Sequence, residues 1–335
     1  EYFLKGWIFG FGYFISSLYW ITISLTFDQT FKVFIPIAFL FIPLFLGIFY
    51  GLATFFLSFF KKFNNISLIL TFSVLLSVLE FFRGNILSGF PWNLISFSLS
   101  EFLTILQTLS LIGTYSFNLF CITLFLLPSF LYLKRTKFDY YFIISFGALI
   151  LSGIIFGEIK LNESKHTPLN NNDFIIKVIS PKVSIERFYY TESENEILKN
   201  LIKLSSPDKD IKTIFVWPEG IFNNTDLNSL KKYQNIFKEN FSENHLIIFG
   251  INNSVNKKIF NSLAVVNHNL DLIESYNKNN LVPFGEFLPL EKFLKNLGMK
   301  TITNFYNSYS PGQKRNVINL ENQKFAISFL PLICY

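Results

Sequence analysis

Hydrophobic residues are distributed very unevenly along this chain of 335 residues. The first half consists of long apolar runs, and five of them are long enough to cross a bilayer, whose core takes about 20 residues of helix. They lie at about 7–26, 34–60, 66–82, 102–133 and 139–157. Polar residues separate much shorter apolar segments after about residue 158. We therefore predict a membrane helix bundle over 1–157, a linker over 158–171 and a water-soluble domain over 172–335.

The second half of the chain alternates between short strands and helices. Apolar runs typical of strands lie at 174–179, 212–217, 245–250, 261–267, 271–276, 315–320 and 324–331, and helical patterns at about 192–205, 226–240 and 290–297. This alternation predicts an α/β layered fold around a central sheet. Ligands of such folds bind at the carboxyl ends of the strands, so polar residues just beyond strand ends are the candidates for chemistry.

Composition and charge narrow the class of protein. Half of the residues are hydrophobic and the mean hydropathy is +0.37, too apolar for an ordinary soluble protein. The net charge is +6, but no basic stripe interleaved with aromatic residues is present, which argues against a nucleic-acid partner. Basic residues cluster after the second and fourth spans, at 61–62 and 134–137. The positive-inside rule puts these loops in the cytoplasm and the domain after residue 157 on the periplasmic side of a bacterial inner (plasma) membrane.

One loop between the third and fourth spans differs from the others. It runs from Glu80 to Asn93 and contains Arg83, a Gly-Phe-Pro turn and Trp92. One interpretation is an interfacial loop with Trp92 as an aromatic anchor. The other is functional: Glu80 and Arg83 pair one helical turn apart near the membrane surface, where charges usually have a role. They would hold a lipid headgroup or brace the catalytic domain.

Three residues just past predicted strand ends form the candidate catalytic set. They are Glu219, Lys278 and Cys334, a carboxylate, an amine and a thiol. These are the parts of a site that makes a thioester and passes the acyl group on. Glu219 would be the general base, Lys278 would stabilise the oxyanion and Cys334 would be the nucleophile. The loop after Lys278 contains Glu286, which could return to pair with the lysine.

Each of these residues also has a structural interpretation. A cysteine in an apolar strand is more often an inert core residue, a loop lysine is usually solvated, and Glu219 could be a turn or helix-cap carboxylate. The chain has only one other cysteine, Cys121, inside a predicted span. An unpaired cysteine in an oxidising compartment favours a reactive thiol. His166, His245 and His268 lack metal-ligand spacing, and no phosphate-binding or dinucleotide motif is present, so we predict neither a metal nor another cofactor.

Several motifs resemble a known family. Residues 172–335 resemble the carbon–nitrogen hydrolase (nitrilase) superfamily, whose αββα sandwich carries a Glu-Lys-Cys triad. The segments at 10–14, 19–21, 80–93, 276–286 and 333–335 narrow the resemblance to the apolipoprotein N-acyltransferase family. The resemblance extends over essentially the whole chain.

The resemblance implies both an activity and a set of site residues. An acyl chain would pass from a membrane phospholipid to Cys334 as a thioester, and then to the N-terminal amine of the diacylglyceryl-cysteine of an apolipoprotein. Glu219, Lys278 and Cys334 match the triad, and Glu286 matches a further essential carboxylate. The expected substrate contacts are Tyr335, Phe188, Trp217, Trp92, Arg83 and Glu80.

The chain also departs from the family pattern. It stops before the glutamate that follows the Cys-Tyr pair, and Asn280 stands where histidine is common. The abrupt start at Glu1 and the stop at Tyr335 predict that the chain is incomplete at both ends. Two alternatives remain at this stage. One is a membrane-anchored amidase that uses water as the acceptor, and the other is a non-catalytic membrane scaffold that binds lipoproteins or lipid.

Overall fold

The chain divides into two compact units. A computed structural model of the protein describes residues 1–26, 29–86, 89–166, 174–182, 194–222, 225–296, 308–321 and 325–333. The first unit spans Glu1–Asn170 and the second Asn171–Tyr335. Each unit has its own core.

The long secondary-structure elements of the first unit are helices. Its helices are α1 (Tyr2–Leu18), α2 (Ile35–Leu57), α3 (Asn65–Asn85), α4 (Leu103–Leu106), α5 (Leu109–Leu126) and α6 (Lys137–His166). Turns of 3₁₀ helix lengthen some of them. In the described part of the chain, five stretches are long and apolar enough to cross a membrane: Tyr2–Thr26, Phe31–Phe60, Asn65–Asn85, Leu109–Leu131 and Lys137–Glu163. The prediction of five spans is confirmed.

Glycines bring α1 and α2 into backbone contact. A Cβ atom placed on Gly10 would lie 2.9 Å from the Cα atom of Gly47, and one on Gly6 would lie 2.5 Å from the carbonyl oxygen of Tyr50. Close packing of this kind holds membrane helices together, because apolar side chains gain little by leaving lipid. The core of the bundle forms next to this contact, from Phe14, Leu18, Leu46, Tyr50, Ala53, Leu76 and Ile122.

The structure differs from the sequence prediction at two places in the bundle. Helix α6 continues to His166, so residues 158–166 of the predicted linker are helical. The predicted span at 102–133 is divided into the short helix α4 and the longer α5. Helix α5 is itself broken at Gly113, whose φ of +72° is accessible to glycine and costly for other residues. Hydropathy reports the apolar length of a segment and does not report such breaks.

The second unit is built on a five-stranded sheet. Its strands are β1 (Ile175–Val178), β2 (Thr213–Val216), β3 (His245–Val255), β4 (Lys258–Asn267) and β5 (Leu272–Asn277), in that order across the sheet. Strands β1, β2 and β3 are parallel, and β4 is antiparallel to both β3 and β5. The carboxyl ends of β1, β2, β3 and β5 therefore meet at one edge of the sheet, together with the start of β4.

Both faces of this sheet are covered. Helices α7 (Glu194–Ser205) and α8 (Gln234–Asn240) pack on one face through a large aromatic and aliphatic core. A second, two-stranded sheet of β6 (Ile318–Glu321) and β7 (Ala326–Phe329) covers the other face, where Leu320 and Phe325 are buried. A short helix, α9 (Glu291–Asn296), precedes it along the chain. The layer formed by α7 and α8 and the two sheets are three of the four layers of an αββα sandwich. The predicted α/β fold is confirmed.

One hairpin of the sheet was not predicted from the sequence. Strand β3 continues five residues past the predicted end at Gly250 and turns directly into β4 at Asn256 and Lys257. Both turn residues have positive φ, +50° and +63°. Such two-residue turns usually contain glycine, and an Asn-Lys pair gives little signal for one.

Candidate active site

The topology of the second unit gathers the predicted polar residues at one sheet edge. Glu219 lies three residues beyond the end of β2, and Lys278 directly follows β5. Both strands point their carboxyl ends to the same edge. Asn261, near the start of the antiparallel β4, lies at this edge as well.

Lys278 and Glu286 form a buried ion pair. The Nζ atom of Lys278 lies 3.0 Å from Oε1 and 2.9 Å from Oε2 of Glu286, and the two side chains are 3% and 8% exposed. Oε2 also accepts a hydrogen bond of 2.8 Å from the backbone N–H of Val282, and the N–H of Glu286 donates to the Val282 carbonyl at 2.8 Å. The Glu286 carboxylate thus binds the backbone of the loop that carries it and pairs with the Lys278 ammonium group. This is the pairing that the loop sequence after Lys278 suggests.

Asn261 joins Glu219 to this pair. Its Nδ2 atom lies 2.6 Å from Oε1 of Glu219 and 2.7 Å from Oε1 of Glu286. Its backbone carbonyl accepts a hydrogen bond of 2.8 Å from the N–H of Lys278. A continuous hydrogen-bonded chain therefore runs from Glu219 through Asn261 and Glu286 to Lys278. Asn261 was not predicted from the sequence, and its one signal is a polar residue shortly before the apolar run at 263–266 of β4.

Glycines allow Glu219 to sit against the sheet. A Cβ atom on Gly250 would lie 2.7 Å from the Cα atom of Glu219, so no larger residue fits there without moving the backbone of Glu219. Gly220 follows with a φ of +66°. The backbone of Glu219 is thus packed on β3, while its side chain is exposed.

The segment from Ser308 to Gly312 holds the loop that carries Lys278 and Glu286. The N–H of Tyr309 donates to the carbonyl of Glu286, and the N–H of Gly312 donates to the carbonyl of Lys278, each at 2.8 Å. The Tyr309 hydroxyl donates to Oδ1 of Asn252 on β3 at 2.9 Å. This segment ties the loop to the sheet, and it was not predicted from the sequence.

The remaining predicted site residues of the second unit are not part of this hydrogen-bonded chain in the described structure. Cys334, Tyr335 and Phe188 lie outside the described residues. Trp217 is 3% exposed and packs on the helix-facing side of the sheet against Phe237, and its indole N–H donates to Ser205 Oγ at 2.9 Å. Trp217 is thus part of the core on this side of the sheet.

Glu80 and Arg83 are buried inside the membrane unit. They are 0% and 2% exposed, and Nη2 of Arg83 lies 3.6 Å from Oε1 of Glu80. Glu80 accepts hydrogen bonds from the Tyr50 hydroxyl at 3.1 Å and from the Asn118 side-chain amide. Protein groups therefore surround both charges. Asn118 was not predicted, since a single amide hardly changes the hydropathy of a span.

Arg83 fixes the loop that carries Trp92. Its Nη1 atom donates to the carbonyl oxygens of Phe90 and Trp92, each at 2.8 Å. The Trp92 indole is 45% exposed and stacks on Trp20, with ring centroids 5.4 Å apart. The Trp92 side chain is therefore accessible at this end of the bundle, while the buried Arg83 holds the backbone of its loop.

The two basic loops lie together at the opposite end of α3. The side-chain amide of Asn65, at the start of α3, donates to the carbonyl of Lys134 at 3.0 Å and to Asp139 at 3.2 Å. Lys61 and Lys62 lie within four residues of the start of α3 in the chain. One end of the bundle thus collects the positive charge, and Trp92 lies beyond the other end of α3.

Comparisons with known proteins agree with these observations. Residues 1–127 match the family model of the apolipoprotein N-acyltransferase N-terminal domain. The chain is 27% identical over 352 residues to an apolipoprotein N-acyltransferase of Rhodopseudomonas palustris, covering 99% of this chain and 64% of that protein. Proteins with the same name from Bradyrhizobium diazoefficiens and Rickettsia prowazekii are each 29% identical, covering 99% and 98% of this chain and 64% and 65% of their own lengths. The chain thus spans just under two thirds of these relatives.

A solved structure is also similar to part of the chain. It is a crystal structure of an N-terminal amidase with an Asn-Glu-Ala peptide, 17% identical in sequence. The match covers 46% of this chain and 38% of the amidase chain, with a TM-score of 0.27. A TM-score of 0.27 is too low to indicate a shared fold.

Fold and site together define a class of protein. The protein is a polytopic helical membrane protein with an α/β domain, whose sheet edge carries a carboxylate linked to a buried ion pair. The family model over residues 1–127 and the relatives over nearly the whole chain make this protein similar to apolipoprotein N-acyltransferases.

Proposed function

We propose that the protein transfers an acyl chain from a membrane phospholipid, through a thioester on Cys334, to the N-terminal amine of the diacylglyceryl-cysteine of an apolipoprotein. The observation that carries the proposal is the hydrogen-bonded chain from Glu219 to Lys278 at the sheet edge. It joins a carboxylate to a buried ammonium group, in a chain whose relatives are named apolipoprotein N-acyltransferases. Acyl transfer needs both a base and an electrostatic stabiliser of the oxyanion.

Glu219 is the proposed general base. Its Oε1 atom is held by Asn261, and among the described residues its Oε2 atom has no hydrogen-bond partner. Oε2 can therefore take the proton of the Cys334 thiol, which must become a thiolate to attack an ester carbonyl. Glu286 does not suit this role, because Lys278, Asn261 and the N–H of Val282 already occupy its two oxygens.

Lys278 is the proposed oxyanion stabiliser. An ammonium group has three N–H donors, and two of them are directed at the oxygens of Glu286. The third is left to donate to the oxygen of the tetrahedral intermediate. Because Lys278 is 3% exposed, its interaction with developing negative charge is screened little by water. Glu286 holds the ammonium group in this position.

The proposed reaction has two half-reactions that share Glu219. In the first, the thiolate adds to the ester carbonyl, the ester C–O bond breaks, and Glu219 returns its proton to the departing oxygen of the lysophospholipid. In the second, the amine of the diacylglyceryl-cysteine attacks the thioester and Glu219 accepts a proton from that amine. The C–S bond breaks, the proton returns to the thiolate, and an amide is the product.

The membrane unit supports lipid substrates and an outward-facing domain. Both the donor and the acceptor are lipids, and the chain has five stretches able to cross a membrane. The basic loops share one end of α3, which the positive-inside rule assigns to the cytoplasm. Helix α6 begins at Lys137 in one of these loops, so we propose that the second unit lies on the periplasmic side of the inner membrane. Trp92, Phe188 and Tyr335 are the proposed substrate contacts.

The test is to detect the acyl-enzyme itself. The full-length protein in detergent is incubated with phospholipid, and intact-mass spectrometry measures an acyl adduct before and after a diacylated lipopeptide is added. The adduct should form, should be absent from Cys334→Ala, and should be discharged as N-acylated peptide. Cys121→Ala is the matched control, because Cys121 is the other cysteine of the chain and is buried in the bundle.

Other outcomes would contradict the proposal. An adduct that water discharges as fast as the lipopeptide would indicate a hydrolase. The absence of an adduct with any phospholipid donor would indicate a non-catalytic protein that binds lipid or lipoprotein.

A further inference from the structure

We infer that Asn261 is a positioning residue, whose side-chain amide fixes the carboxylate of Glu219 relative to Lys278 and leaves Oε2 of Glu219 as the atom that moves the proton. The inference rests on the proposed function, in which Glu219 is the base. It goes further by assigning the geometry of that base to a neutral residue on another strand.

The contacts of the amide identify its donor atom. One atom of the Asn261 side chain lies 2.6 Å from a carboxylate oxygen of Glu219 and 2.7 Å from a carboxylate oxygen of Glu286. An oxygen at that place would be repelled by both carboxylates, so the atom is the nitrogen. Its two hydrogens then serve one carboxylate each, which uses the full donor capacity of the group.

Glu219 depends on this contact more than Glu286 does. Among the described residues, the Asn261 bond is the one hydrogen bond to the Glu219 side chain, which is exposed. An exposed glutamate that lacks such a bond samples several rotamers. Glu286 keeps its contacts with Lys278 and with the N–H of Val282 when the amide is removed. Loss of the amide is therefore expected to release Glu219 and to leave the ion pair in place.

The sheet holds the amide rigidly. Asn261 pairs with Asn252 of β3 inside the β3–β4 ladder. Its carbonyl accepts the N–H of Lys278, so the residue that orients the base also receives the backbone of the lysine. Asn261 thereby sets the separation between the proton-accepting carboxylate and the ammonium group. A site on a regular strand keeps such a separation better than a loop does.

The experiment measures the pH dependence of acylation. Single-turnover formation of the Cys334 adduct from phospholipid is followed by mass spectrometry in the full-length protein and in Asn261→Ala. We expect the rate to fall by about 10- to 100-fold, as for a misplaced catalytic group. We expect the acidic limb of the rate profile to change, because Asn261 acts on the residue that moves the proton. The donor concentration for half-maximal rate should stay within about twofold, since the Asn261 amide is inferred to act on Glu219 and not on the lipid.

Two further variants separate positioning from structure. Asn253→Ala is the matched control: this asparagine lies on β3 and donates to Asn277, not to a carboxylate. It should leave the acidic limb in place. Asn261→Ser has one hydroxyl hydrogen in place of two amide hydrogens, and its rate should lie between those of the wild type and Asn261→Ala. It also serves as the test if Asn261→Ala does not fold.

The outcomes distinguish the inference from the proposed function. If the wild-type protein forms no adduct, the proposed function fails. If the wild type forms the adduct and a folded Asn261 variant acylates at the wild-type rate with an unmoved acidic limb, the inference alone is overturned. A slower rate without a shift of the limb, shared by Asn253→Ala, would make the role of Asn261 structural.

Discussion

The ammonium nitrogen of Lys278 lies 3.0 and 2.9 Å from the two carboxylate oxygens of Glu286, and both side chains are almost fully buried. Removing one partner of such a pair leaves an uncompensated buried charge. The free-energy cost of that charge exceeds the stabilisation that the intact pair provides. Glu286→Ala is therefore expected to lower the free energy of unfolding by about 3–5 kcal/mol and to abolish adduct formation.

Thermal unfolding in detergent measures this effect. Glu274→Ala is the control, because Glu274 lies on the adjacent β5 and is exposed, and it should change stability by less than about 0.5 kcal/mol. Equal stability of Glu286→Ala and the wild type would contradict the buried pair.

Gly250 is expected to control the position of Glu219. A methyl group at Gly250 would lie 2.7 Å from the Cα atom of Glu219, so Gly250→Ala must displace the backbone of the proposed base. Acylation should fall by about 100-fold, while overpacking costs about 1–3 kcal/mol of stability. Gly147→Ala is the matched control, because nothing lies within 4 Å of a Cβ atom there. Unchanged acylation by a folded Gly250→Ala protein would refute the prediction.

Arg83 is expected to stabilise the loop that carries Trp92. Arg83→Ala removes both hydrogen bonds to the carbonyls of Phe90 and Trp92 and leaves Glu80 as a buried charge without its cation. We expect a loss of about 3 kcal/mol or more of stability. Arg83→Lys keeps the charge but not the planar fork, and should fall between the wild type and Arg83→Ala. Thermal unfolding measures the order of stability of the three proteins. If Arg83→Ala is as stable as the wild type, Arg83 does not stabilise this loop.

His245 is expected to make the second unit less stable at acidic pH. Burial lowers the pKa of His245 below its ordinary value of about 6.5. Its Nδ1 atom accepts the N–H of Ser242 at 3.1 Å, so Nε2 is the protonated nitrogen and donates to the Asp208 carbonyl at 2.8 Å. The folded state thus favours the neutral ring. Its contribution is full above about pH 6.5 and is lost as pH falls through the lower pKa of the folded state.

The measurement is the midpoint of thermal unfolding between pH 7 and pH 5. His245→Phe, which keeps an aromatic ring beside Phe215 and Phe241, should reduce the slope of the midpoint against pH. An unchanged slope in this variant would assign the acid sensitivity to other groups.

The proposed topology can be tested with a pair of single-cysteine variants. A cysteine in place of Asn170, which follows α6, should react with a membrane-impermeant maleimide added to the periplasmic side of cells. A cysteine in place of Lys62, in a basic loop, should react only after the inner membrane is opened. The reverse pattern would overturn the proposed orientation.

Much of this architecture could be predicted from the sequence, because burial in lipid and in a sheet leaves a strong hydrophobic pattern. The five spans and the alternation of strands and helices follow from that pattern alone. The burial of Trp217 could also have been predicted. Side chains alternate along a strand, so Trp217 shares a face with the buried Phe215, on the side that the helices cover.

Other features leave no such pattern. The contact between Asn261 and Glu219 joins two segments 42 residues apart, and one asparagine among many carries no sign of a distant partner. Gly250 is needed because another segment approaches it, which only the three-dimensional fold reveals. The burial of Glu80 and Arg83 depends on Tyr50 and Asn118 from other helices, so a charged pair near a span end could not be distinguished from a lipid contact.

Helix α6 is longer than a bilayer core requires. This helix has 30 residues, which corresponds to about 45 Å along its axis, or about 42 Å along the bilayer normal at a tilt of 20°. The hydrocarbon core is about 30 Å thick, so roughly 12 Å of helix extends beyond the acyl chains. Helix α6 is therefore long enough to reach past the acyl chains to the level of the phosphates and water.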